Sequence, residues 1–105
     1  MPVEERILMA IKWNKAAVQQ LLDAIRFIEE NEFHSYAEEL EGDILSRIRN
    51  LTQNPTIYPL DKYRRNNDGS YHAFEVDQYR ISYRNKKDEI RILRIRHTSR
   101  RVKNH

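Results

Sequence analysis

Between Tyr71 and His97 lie three short runs rich in large apolar residues, YHAFEV, YRISYR and EIRILRIRH, and in the last two these alternate with arginines. The links between them are Asp77-Gln78 and the turn-forming NKKD. Period-two alternation over runs this short specifies strands, and brief links leave only antiparallel neighbours, so this stretch predicts a three-stranded meander. In YRISYR, Ile81 and Tyr83 share one face, while Arg80, Ser82 and Arg84 share the other. In the last run the apolar phase slips at Ile92-Leu93. Either both faces are covered there or a bulge re-aims the strand and curves the sheet.

Upstream, the apolar spacing changes to a helical period. RILMAIKW over residues 6–13 reads as a strand closed by Trp13, and Asn14 is placed to N-cap a helix from Lys15 to about Asn31. Ala17, Val18, Leu21, Leu22, Ile25 and Ile28 form its predicted buried stripe. Ser35 with Glu38 fits a capping box opening a second helix. Its stripe is Ala37, Leu40, Ile44, Ile48 and Leu51, and Pro55 stops it. Gly42, inside that helix, suggests a close approach to its neighbour. Residues 54–70 read as a loop, basic at Lys62, Arg64 and Arg65. The expected class is α+β: a strand, an antiparallel two-helix hairpin, then the meander, with the helices on one face of a curved sheet. The arginine face is left open. At 105 residues a single domain, 1–105, is expected.

Composition narrows the chemistry. Cysteine is absent, which removes disulfides, thiolate nucleophiles and cysteine-zinc sites, and two glycines leave no glycine-rich phosphate cradle. No metal or cofactor is expected. Neither a membrane span nor a signal peptide is visible, so a cytoplasmic protein is expected. The net charge of +3 conceals an asymmetry. Residues 80–105 carry ten Lys/Arg against Asp88 and Glu89, a balance of +8, while residues 1–79 hold nine basic and fourteen acidic groups, a balance of −5. A basic half attracts a polyanion or an acidic partner; alternatively, acidic helices fold against a basic sheet and neutralise it.

Metal-free cleavage of RNA needs a group to take the 2′-hydroxyl proton, a cation to hold the phosphorane, and an acid for the leaving oxygen. Arginine suits the second task and histidine the others. Arg80, Arg100 or Arg101, His97 and His105 supply those types in one region. A solvated or phosphate-docking face accounts for the arginines as well, and His97 equally suits a strand-end histidine. His34 and His72 read as structural or exposed, and Tyr79 and Tyr83 as core or edge aromatics.

The element order, with YRISYR followed by DEIRILRIRHTSRR, resembles the RelE/ParE superfamily, the toxins of type II toxin–antitoxin modules. The resemblance spans nearly the whole chain and is strongest over residues 71–101. It implies a bacterial, cytoplasmic toxin neutralised by a cognate antitoxin whose acidic segment covers the basic sheet and helices. RelE-like members cut mRNA on the ribosome by 2′-hydroxyl attack, whereas ParE-like members bind DNA gyrase and lack the nuclease residues. By resemblance, Arg80 takes the position after the tyrosine of a YR strand, and Arg100 that of an arginine just past the last strand. No tyrosine follows Tyr83, so His105, with His97 as substitute, takes the proton-moving role. Lys62, Arg64, Arg65, Arg84, Arg94, Arg96 and Arg101 would hold RNA backbone. The favoured expectation is a metal-independent, ribosome-dependent mRNA endoribonuclease without cofactor; the alternative is a gyrase inhibitor without catalysis. A third reading is a domain that only holds its antitoxin.

Overall fold

The structure, a computed structural model, describes residues 9–31 and 34–100. It contains β1 (Ala10–Trp13), α1 (Lys15–Asn31), α2 (His34–Asn50), β2 (Tyr71–Val76), β3 (Tyr79–Asn85) and β4 (Glu89–His97), followed by a 3-10 turn at Thr98–Arg100. The first strand, expected from residue 6, is observed from Ala10; its expected beginning lies outside the described residues. One sheet forms, in the order β1-β4-β3-β2. The meander is antiparallel as its links require, and β1 adds to β4 in parallel.

The two-residue link between β2 and β3 requires left-handed backbone, which Asp77 supplies at φ 55°. Its carboxylate accepts the Tyr36 hydroxyl at 2.6 Å, which ties the hairpin to α2. Between β3 and β4, Ser82 pairs with Arg94 but Tyr83 pairs with Ile92. Leu93 is therefore the extra residue of a β-bulge, where the apolar phase slipped. The bulge leaves Leu93 and Arg94 together on the arginine face and returns Ile95 to the core.

The helices cover the opposite face. Ile81, Tyr83, Ile90, Ile92, Phe74 and Val76 meet Leu40, Ile44, Ile48, Leu21 and Ile28 in one buried cluster. The α2 stripe is buried as anticipated, Leu51 included. That of α1 is narrower: Ala17, Leu21, Ala24 and Ile28 are buried, Ile25 is half-buried, and Val18 and Leu22 are exposed. A helix laid on a sheet buries one seam at i, i+4, i+7, i+11, and Val18 and Leu22 sit one step round from it.

Two expected caps differ in detail. Asn14 precedes α1 and its carbonyl accepts from Ala17 and Val18, but its side-chain oxygen is taken by Arg91 at 3.1 Å. Already within α2, which begins at His34, Ser35 is not the N-cap residue; Glu38 instead lies 3.3 Å from the His34 ring.

Gly42 also departs from expectation. Beyond its chain neighbours and the backbone of its own helix, no atom lies within 4 Å of where its Cβ would sit, so it mediates no close helix contact. Its backbone freedom then only disfavours the helix. Gly42→Ala is expected to raise stability by about 0.5–1 kcal/mol in urea unfolding. An unchanged or lower midpoint would mean that the position has a packing role.

An aromatic group anchors the loop after α2. Tyr58 stacks on Phe74 at 4.3 Å, Phe74 meets Tyr83 edge-on, and His72 stacks on Tyr83. His72 is buried, and its Nδ1–H donates to the Tyr58 carbonyl at 2.9 Å. The backbone then runs beside β2, with a bridge between Leu60 and His72. This covers the outer edge of the sheet.

Candidate functional site: a basic groove on the open sheet face

Alternation in β3 and β4 sends Arg80, Arg84, Arg91, Arg94 and Arg96 to the face away from the helices, where they line a groove of about 930 Å³. The 54–70 loop forms one wall with Asp61, Tyr63 and Arg64, and β2 adds Tyr71 and Glu75. His97 closes the far end. The strand register sets arginine directly opposite arginine at Arg80–Arg96 and Arg84–Arg91, which is repulsive unless carboxylates intervene.

Carboxylates intervene over one half. The Arg80 guanidinium bonds Asp61 at 2.8 Å and reaches Glu75 at 3.4 Å. Both members of the first pair are largely withdrawn from solvent, at 19% and 12% side-chain exposure. Arg80 also lies over the Tyr63 ring at 4.7 Å. Arg84 reaches Asp68 at 3.3 Å and Ser70 at 3.0 Å, and Arg91 bonds Glu89 at 2.8 Å. The Ser70 hydroxyl and backbone N–H, with Arg84 adding to them, hold the Asp68 carboxyl below the usual carboxylate range. Arg64 and Arg84 both lie over the Tyr71 ring, at 3.7 and 4.7 Å.

The other half is open. Arg94 and Arg96 are exposed and make no ion pair among the described residues. Surplus positive charge thus gathers on the C-terminal part of β4, next to half-buried Leu93. A carboxylate or phosphate arriving there meets two guanidinium groups whose donors are unspent.

His97 is already engaged. The Ser99 N–H donates to its Nδ1 at 3.2 Å, and the Ser99 hydroxyl lies 2.7 Å from the same atom. An accepting Nδ1 puts the proton of the neutral ring on Nε2, leaving no vacant lone pair. The ring packs edge-on against Tyr79 at 5.0 Å.

The groove therefore collects Arg64, Arg80, Arg84, Arg94, Arg96 and His97 from the expected residues. Lys62 and Arg65 are on the loop but do not line it, and Lys62 lies over Tyr63 instead. The side chain of Arg100, together with Arg101 and His105, lies outside the described residues. Sequence reasoning missed Asp61 and Glu75. The second had a signal: a two-residue link fixes Val76 opposite Tyr79 and hence Glu75 opposite Arg80. Asp61 gave no such signal, because its approach depends on the path of the loop. Among the described residues no helix is long and apolar enough to cross a membrane, and no three His, Asp or Glu side chains cluster as metal ligands.

The fold recurs in solved structures. The chain superposes on a structure described as the chromosomal ParDE TA system from P. aeruginosa with a TM-score of 0.70 at 20% identity, covering 88% of this chain and 98% of that one. The YoeB dimer from Staphylococcus aureus gives a TM-score of 0.57 at 13% identity, with 85% and 95% covered. At these identities the likeness concerns the fold alone. No curated protein matches the chain. The family model for the ParE toxin of the type II toxin-antitoxin system parDE matches residues 11–102, nearly the whole of the fold just described, and the chain therefore belongs to that toxin family.

Proposed function

We propose that this toxin arrests growth by binding its target rather than by cutting RNA, that the target is DNA gyrase, and that its antitoxin uses the open half of the basic groove. One observation carries the reading: the two described groups among those that strand cleavage would call on are already engaged. Arg80 is tied to Asp61 and Glu75, and the His97 lone pair accepts from Ser99. A phosphorane would have to displace a carboxylate 2.8 Å from the guanidinium, and a base would have to lose its own hydrogen bond first. The family match supports the same choice.

A second reading, the metal-independent endoribonuclease, is favoured by the convergence of Arg80, Arg84, Arg94, Arg96 and His97 on one groove. Nuclease action would recruit Arg80 and Arg100 to the phosphate and His97 or His105 to the proton. Induced expression of Arg80→Gln separates the two. Growth arrest is expected to match that of the parent chain, provided circular dichroism shows the variant folded. Loss of arrest in a folded variant, together with loss of cuts in translated messages, would favour the nuclease.

A further inference from the structure

We infer that Asp61 is a specificity-determining residue of the groove: an internal carboxylate that fills an oxyanion site on Arg80 and confines an acidic peptide partner to Arg94 and Arg96. The inference does not depend on which target the toxin attacks. It rests on the way the loop is fastened. Asp61 is the most enclosed acid that any groove arginine bonds, and its second role is to accept the Tyr63 N–H at 3.0 Å within the loop. The Asp61 N–H donates to the Tyr71 carbonyl at 2.8 Å, so the backbone holds the carboxylate against the sheet independently of the ion pair.

That arrangement is what a bound carboxylate from another chain would look like. A guanidinium is gripped from one side by an acid and rests on an aromatic ring, with a second acid, Glu75, at its flank. Because the acid is supplied in cis, it acts at high effective concentration and keeps the site closed to free carboxylates. Among the described arginines of the sheet, an acidic segment laid along the groove then finds guanidinium groups without a carboxylate partner only at the β4 end, while Arg64 on the loop wall lies over Tyr71. Asp61 restricts where on a uniformly arginine-bearing face the partner can sit, by presenting a like charge to it.

Asp61→Asn tests this, since asparagine keeps an oxygen for the Tyr63 N–H while removing the charge. The probe is an oligoglutamate peptide titrated into full-length protein by calorimetry at low salt. Asp61→Asn is expected to bind it about tenfold more tightly than the parent. The gain should vanish in Asp61→Asn/Arg80→Gln. It should also be absent from Glu39→Gln, which raises the net charge equally on the far, exposed surface of α2. Equal affinity of parent and Asp61→Asn, with both folded by thermal melting, overturns the inference. So does a gain that persists without Arg80 or is reproduced by Glu39→Gln. A gain for a single-stranded oligonucleotide of the same charge, with none for the peptide, overturns the assignment of a peptide partner.

Discussion

Tyr83→Ala is expected to cost about 3–5 kcal/mol, enough to leave much of the protein unfolded at ordinary temperature. Tyr83 is fully buried at the centre of β3, where its ring meets both His72 and Phe74. Its hydroxyl donates to the Pro55 carbonyl at 2.7 Å and so ties the segment after α2 to the sheet. Truncation opens a cavity among residues that cannot collapse into it, since β-ladders fix them on both sides. Tyr83→Phe isolates the hydrogen bond and should cost only about 1–2 kcal/mol.

The same residue gives a pH signature. Burial pushes the Tyr83 hydroxyl well above the ordinary tyrosine range. The folded state therefore holds the phenolic proton more tightly than the unfolded chain. Its contribution is fully present below about pH 10, the unfolded tyrosine value, and is lost as pH rises beyond it towards the folded value. Urea unfolding of the parent should weaken above that pH more steeply than unfolding of Tyr83→Phe. A Tyr83→Ala variant within about 1 kcal/mol of the parent would show that the aromatic group is not the keystone of the sheet face.

The second large effect concerns the partner. Arg94→Glu/Arg96→Glu is expected to weaken binding of the cognate antitoxin by at least about 100-fold, since each lost charge-assisted contact is worth about 1.5–3 kcal/mol and reversal adds repulsion. These two guanidinium groups are exposed, without an ion pair among the described residues, and neighbours on the β4 end of the groove. The change should spare folding, because neither side chain belongs to the core. Arg80→Gln should have little effect in the same titration, because Asp61 already occupies that guanidinium. Rising salt should erode parent binding more than that of the double variant. Affinity unchanged by the double reversal would place the antitoxin elsewhere on the toxin.

Much of this arrangement is legible in the residues because it is local. The meander follows from period-two alternation and two tight links, and the bulge from the phase slip at Ile92-Leu93. Core tyrosines at positions 79 and 83 follow from the same alternation. What escapes is set by distant parts of the chain. The parallel docking of β1 on β4 joins residues about eighty positions apart, with no turn to announce it. Val18 and Leu22 are apolar at helical spacing, yet the width of the contact, not the spacing, decides which stripe is buried. Gly42 looked like a contact point and is open, because a missing Cβ does not say what lies beyond it. Above all, the arginine face looked uniformly available. Asp61, nineteen residues from Arg80, occupies that arginine through a loop path that no pattern encodes.

The most direct measurement is a titration of purified toxin against DNA gyrase in a supercoiling assay, run beside primer extension on a message translated in the presence of the same protein. Supercoiling should fall in proportion to toxin added, be restored by the antitoxin, and proceed while the message stays intact. Cuts within translated codons at unchanged supercoiling would contradict it, and would mean that Arg80 leaves Asp61 when RNA arrives.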